Sequence, residues 1–545
     1  MDPKDTGSGF SPAAPAETGA ARSSIRNRVG LWLGPILFVA VWALADLDPE
    51  APSATAMAAV AVLMGVWWVT EAIPIPATAL LPIVLFPLTG IMKSAEVARE
   101  YASWLIFLFL GGFLIAIAVE RWNLHKRIAL HILRVVGGRP RRLVLGVMAA
   151  TAFLSMWLSN TATTMMMLPI ALSFVVLQEE FDRRRREAGE VVDPRSANFG
   201  LVLMLGLAHA ASIGGVATLI GTPPNGVLVT QFAQIFPEAP AISFAQWMAF
   251  AFPFSALFLM VAWLLLCRVI FPLPASSAFS GREFIRAELR RLGPISTEER
   301  RVAFVFAGVA LLWMTRKDIP LGAGLTLPGW SSALDAVLAR LHVAPVGALI
   351  DDATVSVLMA LLLFAIPASR ERGGRLMDWN AAKGLPWGIL VLFGGGLALA
   401  AGFEVSGLSA WIGARFESLA EAPPVAMVMS VIAVVAGLTE LTSNTATASM
   451  ALPIMASLAR AIEVNPLLLM VPAALAASCA FALPVATPPN AIVYGSGRVT
   501  IMQMIKAGIV MNLVALVLIT GLIFTLGAVT FDVTGAFPPW AAGPS

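Results

Sequence analysis

Apolar runs bounded by polar residues or by Pro and Gly fall at residues 31–47, 54–70, 73–92, 104–119, 199–236, 245–270, 302–316, 351–367, 387–402, 467–495 and 508–530. A helix needs about 20 such residues to cross a bilayer, so these eleven runs predict eleven transmembrane helices. Two further runs, 143–177 and 426–459, hold roughly 35 residues, short for two spans and long for one. Each predicts a re-entrant hairpin, which must enter and leave on one side of the membrane.

The cations test that prediction, because Lys and Arg concentrate in cytoplasmic loops. Before the first hairpin stand Arg121, Lys126, Arg127, Arg134, Arg139, Arg141 and Arg142, and after it Arg183, Arg184, Arg185, Arg186 and Arg195. Both flanks are therefore expected to be cytoplasmic. The flanks of the second, 403–425 with Arg415 alone and the short stretch from Arg460 to Asn465, are expected outside. Counting crossings from a cytoplasmic N-terminus puts the Arg-rich segment 272–301 inside, with Arg370, Arg372, Arg375 and Lys383. The same count puts 237–244 and 531–545, which lack Lys and Arg, outside. Lys317 and Arg340 fall on the outer side, where 317–350 is expected to form an amphipathic surface helix.

Composition narrows the class. The 545 residues are 58% hydrophobic and 13% charged, against about 25% charged in soluble domains. With a mean hydropathy of +0.83 the chain requires lipid around most of its surface, which excludes a water-soluble globule, a disordered chain, collagen and a nucleic-acid module. Net charge is only +3 although the pI is about 9.1, so the cations matter by placement. Cys267 and Cys479 offer neither a disulfide framework nor a zinc spacing. Lys4, Arg22, Arg26 and Arg28 precede an apolar run without a small-residue cleavage site, read as a retained signal anchor. The expected location is an integral, multi-pass position in the plasma (inner) membrane.

The sequence also repeats itself. SNTATTMMMLPI (159–170) and SNTATASMALPI (443–454) share nine of twelve positions at an offset of 284. WLIFLFLGGFL (104–114) returns as WGILVLFGGGL (387–397), and GTPPN (221–225) as ATPPN (486–490). Each half then holds five crossings and a hairpin, and an odd number turns the second copy upside down, the inverted-repeat plan of secondary transporters. The expected organisation is a cytoplasmic tail (1–30), a first span within 31–53, and repeat one at 54–271 with hairpin 143–177 and broken helix 199–236. A cytoplasmic linker (272–301), repeat two at 302–530 with hairpin 426–459 and broken helix 467–495, and an external tail (531–545) complete it.

Hairpin tips and broken helices bring helix ends to the middle of the membrane, with N–H groups suited to anions and freed carbonyls suited to small hard cations. Pro223-Pro224 and Pro488-Pro489 enforce the breaks by removing donors. The side chains offered are Ser159, Asn160, Thr161, Thr222 and Asn225, and Ser443, Asn444, Thr445, Thr487 and Asn490. All are neutral, so an anion there needs cations brought with it. Sodium held by carbonyls, hydroxyls and amides would supply them.

Paired SNT motifs with paired [GA]TPPN motifs, and the stretch SCAFALPVATPPNAIV (478–493), resemble the divalent anion/sodium symporter family, which includes sodium/dicarboxylate and sodium/sulfate carriers. The resemblance spans roughly residues 30–530. It implies an all-α polytopic homodimer with eleven transmembrane helices and two re-entrant hairpins per protomer in two inverted-topology repeats. It also implies a scaffold domain and a transport domain that moves as an elevator. The substrate site implied is Ser159, Asn160, Thr161, Thr222, Ser443, Asn444, Thr445, Thr487 and Pro488. The implied first sodium site is Ser155, Ser159, Asn160 and Gly221, and the second Thr439, Thr442, Asn444 and Ala486, with Thr442 contributing through its carbonyl. Sodium-coupled symport of C4-dicarboxylates (succinate, fumarate, malate) is the function expected, with no organic cofactor and no enzymatic activity. A sodium-independent dicarboxylate exchanger and a sulfate or tricarboxylate carrier of the same fold are the alternatives.

Other residues have plainer readings. An isolated membrane Ser or Thr usually bonds the carbonyl four residues back. Glu71 is expected in an interfacial turn. Glu440, whose counterpart is Met156, is expected in local pairing or proton sensing. His209 is expected as a packed, hydrogen-bonded imidazole, Arg183–Arg186 as a topology signal, and the 23 Met residues as core filler.

Overall fold

Proline opens many of the helices. Pro52, Pro140, Pro223, Pro424 and Pro488 stand in first turns, where a missing N–H costs nothing. The structure, a computed structural model, describes residues 25–49, 51–274, 279–322, 325–415 and 422–542. The architecture is helical; the departures among these residues are a two-stranded antiparallel sheet, Ile319–Gly322 with Leu325–Leu327, and an isolated bridge between Pro367 and Arg375. In the segment expected as a surface helix, Trp330–Arg340 is helical, while Lys317 lies before it with Nζ donating to the Ala241 carbonyl at 3.3 Å.

Eight helices among the described residues are long and apolar enough to cross a membrane. Seven come from the eleven apolar runs and the eighth, Asn160–Glu187, from run 143–177. The other four runs fall short for local reasons, run 302–316 because its helix Thr297–Met314 opens on Glu298, Glu299, Arg300 and Arg301. Run 73–92 is cut into Ile75–Thr78 and Leu81–Leu88, each with Pro in its first turn. Run 351–367 gives the 14-residue helix Asp352–Ala365, and run 467–495 splits into Leu467–Ala477 and Pro488–Gly495.

Run 143–177 forms Pro140–Ser155 and Asn160–Glu187, joined by a tight turn at Met156–Ser159. The second limb runs ten residues beyond 177, through the arginines. Glu180 pairs with Arg183 and Arg184, and Arg183 also with Glu187, spacings of three and four residues that support a helix. Run 426–459 forms Pro424–Thr439 and Asn444–Ala461 in the same way. Run 199–236 gives Phe199–Gly215 and Pro223–Ile235, separated where the Gly and Pro residues predict.

The packing recurs in matched pairs. Phe199–Gly215 lies on Pro140–Ser155 as Leu467–Ala477 lies on Pro424–Thr439. Pro223–Ile235 packs on Asn444–Ala461, and Pro488–Gly495 reciprocally on Asn160–Glu187. The first contact is very close: a Cβ on Gly214 would lie 2.3 Å from the Ala152 carbonyl oxygen, so only glycine lets these backbones meet.

Candidate functional site

Four helix N-termini converge on one cavity of about 590 Å³. They begin at Asn160, Pro223, Asn444 and Pro488, each preceded by a Ser or Thr (Ser159, Thr222, Ser443, Thr487) in extended backbone. That residue type recurs because its short hydroxyl can cap a first turn: Ser159 Oγ accepts from Ala162 N at 3.2 Å and Thr487 Oγ1 from Asn490 N at 3.3 Å. All nine residues expected to contact substrate line this cavity: Ser159, Asn160, Thr161, Thr222, Ser443, Asn444, Thr445, Thr487 and Pro488. Among the described lining residues there is no Lys or Arg; the only charged one is Glu71. Positive potential must come from the helix ends, each worth roughly half a charge.

Behind the first tip is a nest of acceptors. Ser155 Oγ lies 2.6 Å from the Asn160 amide and donates to the Ala211 carbonyl at 2.7 Å. The Asn160 Oδ1 faces only acceptors. Turning the amide lets its nitrogen donate to Ala211 O at 3.1 Å and Gly221 O at 3.3 Å. With the oxygen inward, the side chain, Ser155 Oγ and two carbonyls converge without enough protons, a set that fits a small hard cation. Glycine makes the nest compact. A Cβ on Gly221 would sit 2.4 Å from the Gly215 oxygen and 2.9 Å from that of Ser155.

The second tip repeats the arrangement. Thr439 Oγ1 lies 2.7 Å from Asn444 Oδ1 and 2.8 Å from Ala477 O, one proton for two acceptors, standing where Ser155 stands in the first half. Asn444 and Ala486 line the cavity, whereas Ser155, Thr439 and Thr442 sit behind it. The Thr442 hydroxyl is engaged with Leu438 O at 2.9 Å and Thr447 Oγ1 at 2.5 Å, which leaves the carbonyl as its free group.

The TPPN asparagines hold the helix breaks. Asn225 Nδ2 donates to Val216 O at 3.0 Å and Thr218 O at 2.8 Å; Asn490 Nδ2 donates to Ala480 O at 3.1 Å and Leu483 O at 3.0 Å. Each reaches back over the broken segment and occupies carbonyls that the helix has lost. Their role is therefore to shape the loops. Asn225→Ala leaves the buried Thr218 carbonyl unpaired, while Val216 O keeps its bond from Trp247 Nε1 at 3.1 Å, and should cost about 2 kcal/mol. A thermal unfolding midpoint within a degree of wild type would contradict this.

Glu440 and Glu71 reach further than their sequence context suggests, and His209 departs from expectation in part. Glu440 is buried, and its carboxylate accepts from the backbone N–H groups of Phe481 (2.8 Å), Ala482 (2.9 Å) and Leu483 (3.1 Å) and from Asn512 Nδ2 (2.7 Å). It thus fixes the loop that carries Ala486 and Thr487. Glu71 ends Pro52–Thr70 in the left-handed region at φ 50°, pairs with Arg26 at 3.6 Å and also lines the cavity. His209 is fully buried against Phe481 at 5.2 Å between ring centres, packed as expected. Its nitrogens, however, complete no hydrogen bond; the Phe481 backbone faces the ring outside normal geometry.

Comparison with known proteins places these residues in context. The family described as the sodium:sulfate symporter transmembrane region matches residues 29–531. The sodium-dependent dicarboxylate transporter SdcS of Staphylococcus saprophyticus is 41% identical over 518 residues, covering 94% of each chain. SdcS of Staphylococcus aureus is 42% identical over 492 residues, 90% of this chain and 89% of that one. Among solved structures, the YdaH transporter of Alcanivorax borkumensis aligns with a TM-score of 0.50 at 14% identity, over 82% of this chain and 89% of that chain, a likeness of fold alone.

Proposed function

Because the chain belongs to the sodium:sulfate symporter family, we propose that it is a secondary transporter, not an enzyme, that carries a C4-dicarboxylate such as succinate, fumarate or malate across the membrane together with sodium. The observation that carries this reading is the cavity itself: four helix N-termini face it, no Lys or Arg lines it among the described residues, and acceptor-rich clusters flank it. A dicarboxylate would place its two carboxylates against the two Ser-Asn-Thr tips. Sodium held by Ser155, Ser159, Asn160 and Gly221, and by Thr439, Thr442, Asn444 and Ala486, would neutralise it. Coupling then follows from electrostatics, since either charge alone is costly at this depth.

The finer architecture belongs to the same proposal. Eleven spans with two re-entrant hairpins are disposed as inverted repeats, with the N-terminus cytoplasmic and the C-terminus external. The matched packing of the two halves supports this, as do the cations around the first hairpin. The hairpins and broken helices form the moving body of an elevator, and the remaining spans form the scaffold of a homodimer.

Purified protein in liposomes should accumulate labelled succinate only when an inward sodium gradient is imposed. Uptake unchanged when choline replaces sodium, and dependent instead on dicarboxylate inside the vesicle, would identify an exchanger. A competition panel against succinate, including sulfate and citrate, fixes the substrate.

A further inference from the structure

A second cavity, of about 690 Å³, lies away from the transport site between the helices Leu124–Val136 and Arg282–Leu292. It is lined by Arg134, Arg282, Arg286 and Arg290 around the apolar Ile285 and Leu289. Among the described residues, none of the four guanidinium groups is ion-paired with a carboxylate; on the same helix Glu288 faces Arg291 instead, at 3.9 Å. Four like charges around one hollow repel each other, and an anion relieves the repulsion.

The helix that carries three of them is held against the protein by its apolar face, and among the described residues the one side-chain hydrogen bond of these arginines is from Arg290 Nε to the Arg286 carbonyl at 3.4 Å. Ile285 is buried and Phe284 stacks edge-on against Phe174 at 5.0 Å, which fixes the apolar face inward. Gly281 N donates to Gly138 O at 3.0 Å, drawing this helix against the turn that follows Arg134. Both segments that supply these arginines, 120–142 and 272–301, are expected on the cytoplasmic side, where such a hollow would face lipid headgroups. Trp263, at the end of the apolar helix Phe244–Leu265, donates its indole N–H to the Arg141 carbonyl at 2.9 Å, a placement typical of the interfacial aromatic belt. Beside Arg134, Val135 is 85% exposed and offers an acyl chain an apolar contact.

We propose that this cavity binds the phosphate headgroup of an anionic membrane phospholipid. A phosphodiester takes paired guanidinium hydrogen bonds, and basic hollows at helix ends suit such headgroups. Four cations around one hollow, an apolar floor and an exposed apolar neighbour together match a lipid better than a soluble ion.

The test uses the full-length protein in nanodiscs of phosphatidylcholine, with or without phosphatidylglycerol, and native mass spectrometry to count retained phosphatidylglycerol. Wild type should retain it, and Arg282→Gln with Arg286→Gln should weaken retention roughly tenfold or more. Arg183→Gln with Arg184→Gln, equal in charge loss, should leave it unchanged. Arg134→Gln, on the other helix, should weaken retention by itself and covers the case in which the double variant does not fold. Equal retention in wild type and both cavity variants overturns the proposal. So does equal loss in the 183/184 control, which would mean diffuse surface charge. Full displacement by inorganic phosphate, with no preference for the lipid, also overturns it.

Discussion

Asn160→Ala and Asn444→Ala should each lower sodium-driven dicarboxylate uptake by about a hundredfold or more, with the protein still folded. Each amide is the point where a helix N-terminus, a hydroxyl of the preceding helix (Ser155 or Thr439) and a carbonyl of the neighbouring broken helix (Ala211 or Ala477) meet. Hydrogen bonds to charged groups are worth about 1.5–3 kcal/mol. An asparagine that contacts both substrate and cation loses roughly two of them, or two to four orders of magnitude. Folding should survive, because both residues sit in first turns at the cavity wall and not in the packed core. The sodium concentration needed to raise the thermal midpoint should also increase, since stabilisation follows ligand affinity. Near-normal uptake in both variants would remove these residues from the site.

Glu440→Ala carries the largest expected effect on stability, about 3–5 kcal/mol. It strips the partner from three consecutive backbone N–H groups, at Phe481, Ala482 and Leu483, inside a buried loop. That loop leads directly to Ala486 and Thr487, so transport should fail as well. Glu440→Gln keeps one acceptor oxygen and should fold with a smaller loss. Asn512→Ala removes a single donor to the carboxylate and should cost about 1 kcal/mol, which keeps the idea testable if the alanine variant at 440 does not fold. A Glu440→Ala protein with wild-type midpoint and uptake would show that the loop is held by other means.

Much of this was legible in the chain because repetition and punctuation are local signals. The SNT tips announced themselves by their offset of 284, and the Pro-Pro pairs announced the broken helices. Limb lengths were less legible. The second limb of the first tip continues to Glu187 because Glu180 and Glu187 flank the arginines at helical spacing, a charge pattern that an apolar count passes over. Glu440 could be recognised as asymmetric, yet the N–H groups it receives lie some forty residues further along the chain. No periodicity links them. Glu71 was legible as a turn residue, but its place at the cavity wall depends on how Pro52–Thr70 packs. Likewise His209 sits on a helix that is otherwise almost wholly apolar, and that its nitrogens meet no partner among the described residues follows from tertiary packing, which the chain does not spell out.

The cavity assembled from helix ends has one more consequence. Backbone dipoles cannot gain or lose a proton, so the field that attracts the anion is the same in acid and in base. Glu71, the only ionisable group among the described lining residues, sits beside Arg26 at the edge of the wall. Apart from Glu71, the acidity dependence of such a carrier then enters through its cargo: the protonation state of the dicarboxylate decides how much of it is in transportable form.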